Sequence, residues 1–237
     1  MESANDTQTI RRPRRSKADI EEAIMKAAVA QIKKKGFSLA LVTDIVKKAK
    51  IEPIVFYNRY KNLEDFFDEF VKKYDYWLSD FARGNLSDLE NPEKYGDFLG
   101  KLMTALVNDA VMTEILRWEI SEGNHITERT AKLRELHSKE LLDCVAGLEG
   151  GDEVDAQALV AIAVAGIFYL ILHKDRSTFC GIDLNSDEGK KRVTDACGRI
   201  GELVFCGDAV RRERERIAAN LRASGVSQDI IDSALAR

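Results

Sequence analysis

Few residues in this chain have the types and spacing that chemistry needs. Glu122 and His125 make a Glu-x-x-His pair, but a di-iron bundle takes two such pairs and further glutamates. The sequence holds no second pair, and Gly123 sits inside the first. Cys144, Cys180, Cys197 and Cys206 form no Cys-x-x-Cys and meet no histidine at zinc-site spacing. They read as reduced, mostly packed thiols of a cytosolic protein. His137 and His173 have no carboxylate or cysteine at ligand spacing. No nucleophile–base pair, phosphate loop or two-carboxylate site appears. The expectation is no catalytic residue, no metal and no cofactor. What remains is the run Phe56-Tyr57-Asn58-Arg59-Tyr60-Lys61-Asn62, where aromatic rings alternate with hydrogen-bonding groups.

The elements that must position that run are helical. Ser16 and Asp19 have the spacing of a capping motif. Ile20, Ile24, Ala27, Ala28 and Ile32 then recur at helical spacing, and Gly36 stops a first helix at about 17–35. A short second helix covers about 42–49, with Ile45, Val46 and Ala49 on one side. Pro53 fits the first position of a third helix, running to about Tyr60. Helices two and three make a helix-turn-helix candidate. Ala49 is the small residue at the crossing, Ile51 plugs the core after the turn, and Phe56 and Tyr60 anchor the second helix. Tyr57, Asn58 and Arg59 are left for contacts. Asn62 can cap a fourth helix, with Phe67, Phe70, Tyr74, Trp77 and Phe81 stepping along one face.

Weaker patterns predict helices at about 95–108, 111–121, 127–148, 152–174, 189–205, 208–223 and 227–235. No strand-like alternation of useful length appears. The apolar stretch from Leu159 to Leu172 is 14 residues long, short of the roughly 20 needed to span a bilayer. The N-terminus lacks the apolar run of a signal peptide, so a cytoplasmic location is expected.

Composition agrees with a helical globular chain. Of 237 residues only 3 are Pro and 15 Gly, with 32% charged and 45% hydrophobic. The net charge of −4 argues against nucleic acid until it is divided. Residues 1–61 hold 14 Lys and Arg against 7 Asp and Glu. That basic N-terminal portion suggests an anion-binding segment joined to an acidic body.

The string Gly36-Phe37, Asp44-Ile45-Val46, Ala49-Lys50-Ile51 and 55–66 resembles the N-terminal domain of TetR-family transcriptional regulators. The likeness covers about residues 16–70. It implies an all-α fold, with an N-terminal three-helix helix-turn-helix domain followed by a larger helical ligand-binding and dimerisation domain. The expected boundaries are a flexible basic arm at 1–15, the DNA-binding domain at 16–62 and the helical body at 63–237. It further implies a homodimer placing two recognition helices on a near-palindromic operator, usually a repressor released by a small-molecule effector, with helix four as a lever.

On this resemblance Tyr57, Lys61 and Asn62, with Thr43 as a further candidate, address phosphates. Asn58 and Arg59 address base edges, and Ile54 and Val55 meet thymine methyls. Arg14 and Arg15, with Arg11 and Arg12, lie along phosphates or enter a narrow minor groove. Trp77, Trp118 and Phe168, beside Phe98 and Tyr169, are candidates for an effector pocket. Ile162, Ala165, Tyr169, Val193 and Ile200 are candidates for the dimer interface. The apolar helix around 160–172 reads either as plain core or as part of that interface.

The sequence departs from the family pattern in places. Lys50 stands where a turn glycine is usual, Leu41 and Glu52 where caps are usual, and Leu63 where a phosphate-contacting lysine is frequent. Thr43 is then the expected cap of a shortened second helix. Two rivals stay open: a TetR-like protein that acts through a protein partner with reduced reading of DNA sequence, and an all-α enzyme.

Overall fold

The computed structural model describes residues 15–85, 92–139, 143 and 155–235. Arg14, Cys144 and the rest of the N-terminal arm lie outside them, as does most of the expected helix beyond His137. The chain divides into two compact units between Phe70 and Val71.

The first unit contains α1 (Lys17–Lys35), α2 (Val42–Ala49), α3 (Pro53–Tyr57) and most of α4 (Leu63–Val71). The capping motif at α1 forms: Ser16 Oγ accepts from the Asp19 amide at 3.1 Å, and the Ser16 amide donates to the Asp19 carboxylate at 2.9 Å. That carboxyl is held below its usual pKa, first by the Ser16 amide and then by the Ser16 hydroxyl. Of the expected helical stripe, Ile24, Ala27, Ala28 and Ile32 are in the core and Ile20 is half-buried. Ile45, Val46 and Ala49 of α2 join them.

Aromatic rings close this small core. Phe66 lies 5.5 Å from Phe56 and 4.9 Å from Tyr60, and Phe37 lies 5.1 Å from Phe67. Three fully buried phenylalanines in so short a unit supply area that aliphatic side chains of similar number would not.

The second unit is built from α5 (Trp77–Arg83), α6 (Pro92–Asn108), α7 (Ala110–Ser121), α8 (His125–His137), α9 (Ala156–His173), α10 (Asp187–Ala223) and α11 (Gln228–Leu235). Helices α6 and α10 approach most closely. A Cβ on Gly96 would meet Gly198 Cα at 2.5 Å, and one on Gly100 would meet the Thr194 side chain at 2.9 Å. Helix α9 packs on α6, α7 and α10 through Ala163, Ile167 and Ile171, spaced by four and all buried.

The structure corrects several expectations. The fourth helix is not continuous to Phe81. It ends at Val71, a single 3-10 turn follows at Lys72–Tyr74, and Tyr76 (φ −99°, ψ 2°) precedes α5. Apolar spacing carries across a break as long as the break preserves the face. Conversely, 189–205 and 208–223 are one helix, α10, because Gly207 is tolerated inside it. Helix α3 ends at Tyr57, although Asn58, Arg59 and Tyr60 continue the turn with amide bonds to Ile54 and Phe56. Cys180 is exposed where a packed thiol was expected. It lies in the short loop after α9, where Phe179 and Ile182 form an isolated bridge. Cys197 is buried, and burial pushes its thiol pKa up, which suits an inert packed group. No helix among the described residues is long and apolar enough to cross a membrane.

Candidate nucleic-acid interface

The turn between α2 and α3 sets the site. Lys50 adopts a left-handed conformation (φ 55°, ψ 52°), as the departure from glycine requires. Its amide bonds the Lys47 carbonyl at 3.3 Å and the Ile51 amide bonds that of Val46 at 3.1 Å. This pair of bonds is a Schellman closure. It satisfies the last carbonyls of α2 at the cost of about 1 kcal/mol for a side chain in that region. Arg15 adds to the closure, donating from Nη1 to the Ala49 carbonyl at 2.9 Å. A cation at a helix C-terminus also answers the helix dipole. Arg15 is therefore tied to α2 through one of its five N–H groups.

Thr43 does not cap α2. The cap position is Leu41, which gives no side-chain bond, and Thr43 lies exposed in the first turn. The reason is that Leu41 takes the extended conformation of a cap (φ −119°, ψ 144°) and its carbonyl starts the helix. Glu52 occupies the cap of α3, also without a side-chain bond, and Pro53 opens the helix.

Helix α3 buries Phe56 completely and turns the opposite side outward. Ile54 is 63% exposed and Tyr57 50% exposed. Asn58 is exposed, Val55 half-buried. Arg59 is half-buried and folds back, its Nη1 donating to the Val55 carbonyl at 2.9 Å. That bond engages one of its five N–H groups. Tyr60 packs inward, and burial is the first cause that raises its phenol pKa. At the start of α4, Asn62 Oδ1 accepts from the Asp65 amide at 2.7 Å, and the Lys61 amide donates to the Asp65 carboxylate at 3.0 Å. The Lys61 side chain is exposed; its amide is already spent on Asp65, which weakens that helix start as a phosphate site.

Sequence reasoning missed two features here. Leu39 and Leu41 are exposed large apolar residues beside the start of α2. No periodicity marks them, because Leu39 lies in a turn and Leu41 in the extended cap of α2. Lys35 pairs with Asp44 at 2.6 Å, which removes one of the α1 lysines from the pool of free cations.

In the second unit the structure separates the effector candidates. Trp77 donates its indole N–H to Asp109 at 3.1 Å, and Trp118 donates to Glu122 at 2.9 Å. Phe168 alone of the three lines a groove between α7 and α9. The pairing of Glu122 with an indole also accounts for half of the Glu-x-x-His pair. No group of three potential metal ligands occurs among the described residues.

The dimer candidates also divide. Ile162 (67% exposed), Ala165 and Tyr169 (49% exposed) share the outward face of α9. Val193 is buried and Ile200 half-buried. Val193 falls with Cys197, one turn on, on the inward face of α10, so it is core and not an outward surface. The inward side of α9 is thus core, and its outward side carries exposed apolar residues.

No family model matches the chain, and no curated protein sequence does. Solved structures do. The fatty acid degradation regulator FadR from Bacillus halodurans matches at 18% identity and a TM-score of 0.52, covering 81% of this chain and 97% of that one. FadR from Bacillus subtilis, solved in complex with stearoyl-CoA, matches at 18% identity and 0.50, covering 79% and 98%. A TetR-family transcription regulator from Marinobacter aquaeolei matches at 18% identity and 0.53, covering 77% and 95%. At such identities the likeness is one of fold. It extends over both units, well beyond the stretch where the sequence alone resembles the family.

Proposed function

We propose that this chain, which has the fold of TetR-family transcriptional regulators, is a sequence-specific DNA-binding regulator that works as a homodimer. The observation that carries the reading is α3. One buried phenylalanine anchors it, and Ile54, Tyr57 and Asn58 face outward from the most basic part of the chain. Tyr57 and Lys61 address phosphates, Asn58 and Arg59 base edges, and Ile54 thymine methyls. The outward face of α9 pairs two copies, since an exposed stripe of Ile162 and Tyr169 favours burial in an isologous contact. A small molecule held by the second unit shifts the population away from the DNA-binding arrangement, so the regulator is a repressor. The interruption after Val71 makes α4 a short element in that shift instead of one long lever.

Footprinting on DNA upstream of the protein's own gene tests the reading. A protected near-palindrome is expected, with affinity falling steeply as salt rises because bound phosphates release counterions. Arg59→Ala should relax specificity, and Tyr57→Phe should weaken binding with sequence preference kept. Specific binding untouched by both would overturn the site assignment.

A second reading is favoured by the exposure of Leu39, Leu41 and Ile54. Here the same unit docks on a protein partner. It predicts binding indifferent to salt and no footprint.

A further inference from the structure

The groove between α7 and α9 has a chemistry of its own. It has a volume of about 580 Å³, in the range of small-molecule sites. Its walls are Ile120 from α7 and Phe168 and Leu172 from α9, and one end carries Arg117, His173 and Arg176. No acidic residue is among the described residues that line it. Glu114 pairs with the groove's own Arg117 at 3.1 Å, while Glu119 pairs with Arg134 at 2.8 Å and Asp175 with Lys174 at 2.7 Å.

The three nitrogen-bearing side chains are not equivalent. Arg117 is committed on two sides, to Glu114 and to the Leu172 carbonyl at 3.1 Å. That second bond quiets the negative end of α9, which would otherwise repel an anion. His173 shares a hydrogen bond with Ser177 at 2.9 Å and stacks on Tyr169. The Arg176 side chain bonds to no other described residue, and only its backbone amide is engaged, with the His173 carbonyl. An unspent guanidinium at the end of an apolar wall recognises a carboxylate, sulfonate or phosphate better than a neutral head.

We infer that this groove binds a compact amphipathic anion, its apolar body against Phe168, Ile120 and Leu172 and its charged group on Arg176. This deepens the regulator reading by naming the class of effector and its seat, and it rests on that reading only for the consequence of binding. Tyr169 borders the groove and belongs to the outward face of α9. An occupant therefore touches the surface on which pairing is proposed.

The test is a fluorescence titration of the full chain, without DNA, using the aryl sulfonate 1-anilinonaphthalene-8-sulfonate and its uncharged analogue N-phenyl-1-naphthylamine. The sulfonate should bind saturably, and at least about tenfold more tightly than the neutral compound, as a charge-assisted hydrogen bond warrants. Arg176→Ala should remove that preference and leave the neutral probe unchanged, with Arg176→Lys restoring part of it. Ile120→Asp should weaken the sulfonate more than Ile120→Asn does. Sulfonate affinity unaltered in Arg176→Ala would overturn the proposal. So would an equal loss in Leu136→Ser, an exposed residue of α8 that does not line the groove. Because no DNA is present, failure here leaves the footprinting result standing, and the reverse holds too.

Discussion

The two units solve the same problem of burying helices with opposite materials. The first has little chain to spend, so it fills its centre with large rings: Phe37, Phe56, Phe66, Phe67 and Phe70 meet within a few ångströms. The second has room for long helices and brings two of them together by leaving side chains out, at Gly96 and Gly198. A ring-filled core is sensitive to losing volume, and a glycine crossing to gaining it. The lesson is that one substitution type cannot rank positions across the whole chain.

The largest effect expected from that contrast is Phe56→Ala. Removing a fully buried ring that supports Tyr60 and Phe66 should cost about 3–5 kcal/mol. Urea unfolding followed by residue-specific NMR should show the loss in the first unit and leave the second unit's transition in place. Next comes the glycine crossing. Gly96→Ala puts a Cβ 2.5 Å from backbone and should cost about 1–3 kcal/mol by overpacking. Gly198→Ala meets nothing closer than 4.0 Å and should be neutral or stabilising by up to about 1 kcal/mol through helix propensity. Equal behaviour of the two in thermal denaturation would break the comparison.

Smaller and of opposite sign is Lys50→Gly. Relieving the left-handed backbone should stabilise the first unit by about 1 kcal/mol, read as a rise in its melting temperature. The smallest effect belongs to the α1 cap. The Asp19 carboxyl is held low by Ser16, so its contribution is full above the ordinary carboxylate range. That contribution drains away as the pH falls through the lower folded value. Ser16→Ala removes only the hydroxyl bond, so the Asp19 titration, followed by NMR, should move part of the way back while the backbone amide at that position still holds it low.

How much was legible in advance also differs between the units. In the first, the bounds of α1 and α2, the buried stripe and the start of α3 could be read because each depends on neighbours in sequence. Ile24 to Ile32 repeat at helical spacing, and Pro53 and Gly36 punctuate locally. Even there, the bonds from Arg15 to Ala49 and from Arg59 to Val55 left no sequence signal. In the second unit the burial of Val193 and the bonds from Trp77 to Asp109 and from Trp118 to Glu122 left no sequence signal. Apolar spacing says that a helix has a buried side. It does not say which neighbour covers it.

The amino-acid sequence alone determined the helical class, the basic first portion, the helix-turn-helix and the residues on its outward side. These follow from periodicity, capping and charge, which act over a few residues. The tertiary structure alone decided that helix four stops at Val71, that α9 keeps one apolar face covered and one open, and that Arg176 stands unspent at the groove that Phe168 lines. Those depend on contacts between residues more than fifty positions apart in places, as with Arg117 and Leu172. Local rules carry no information at that range, because packing selects among faces that the sequence makes equally apolar.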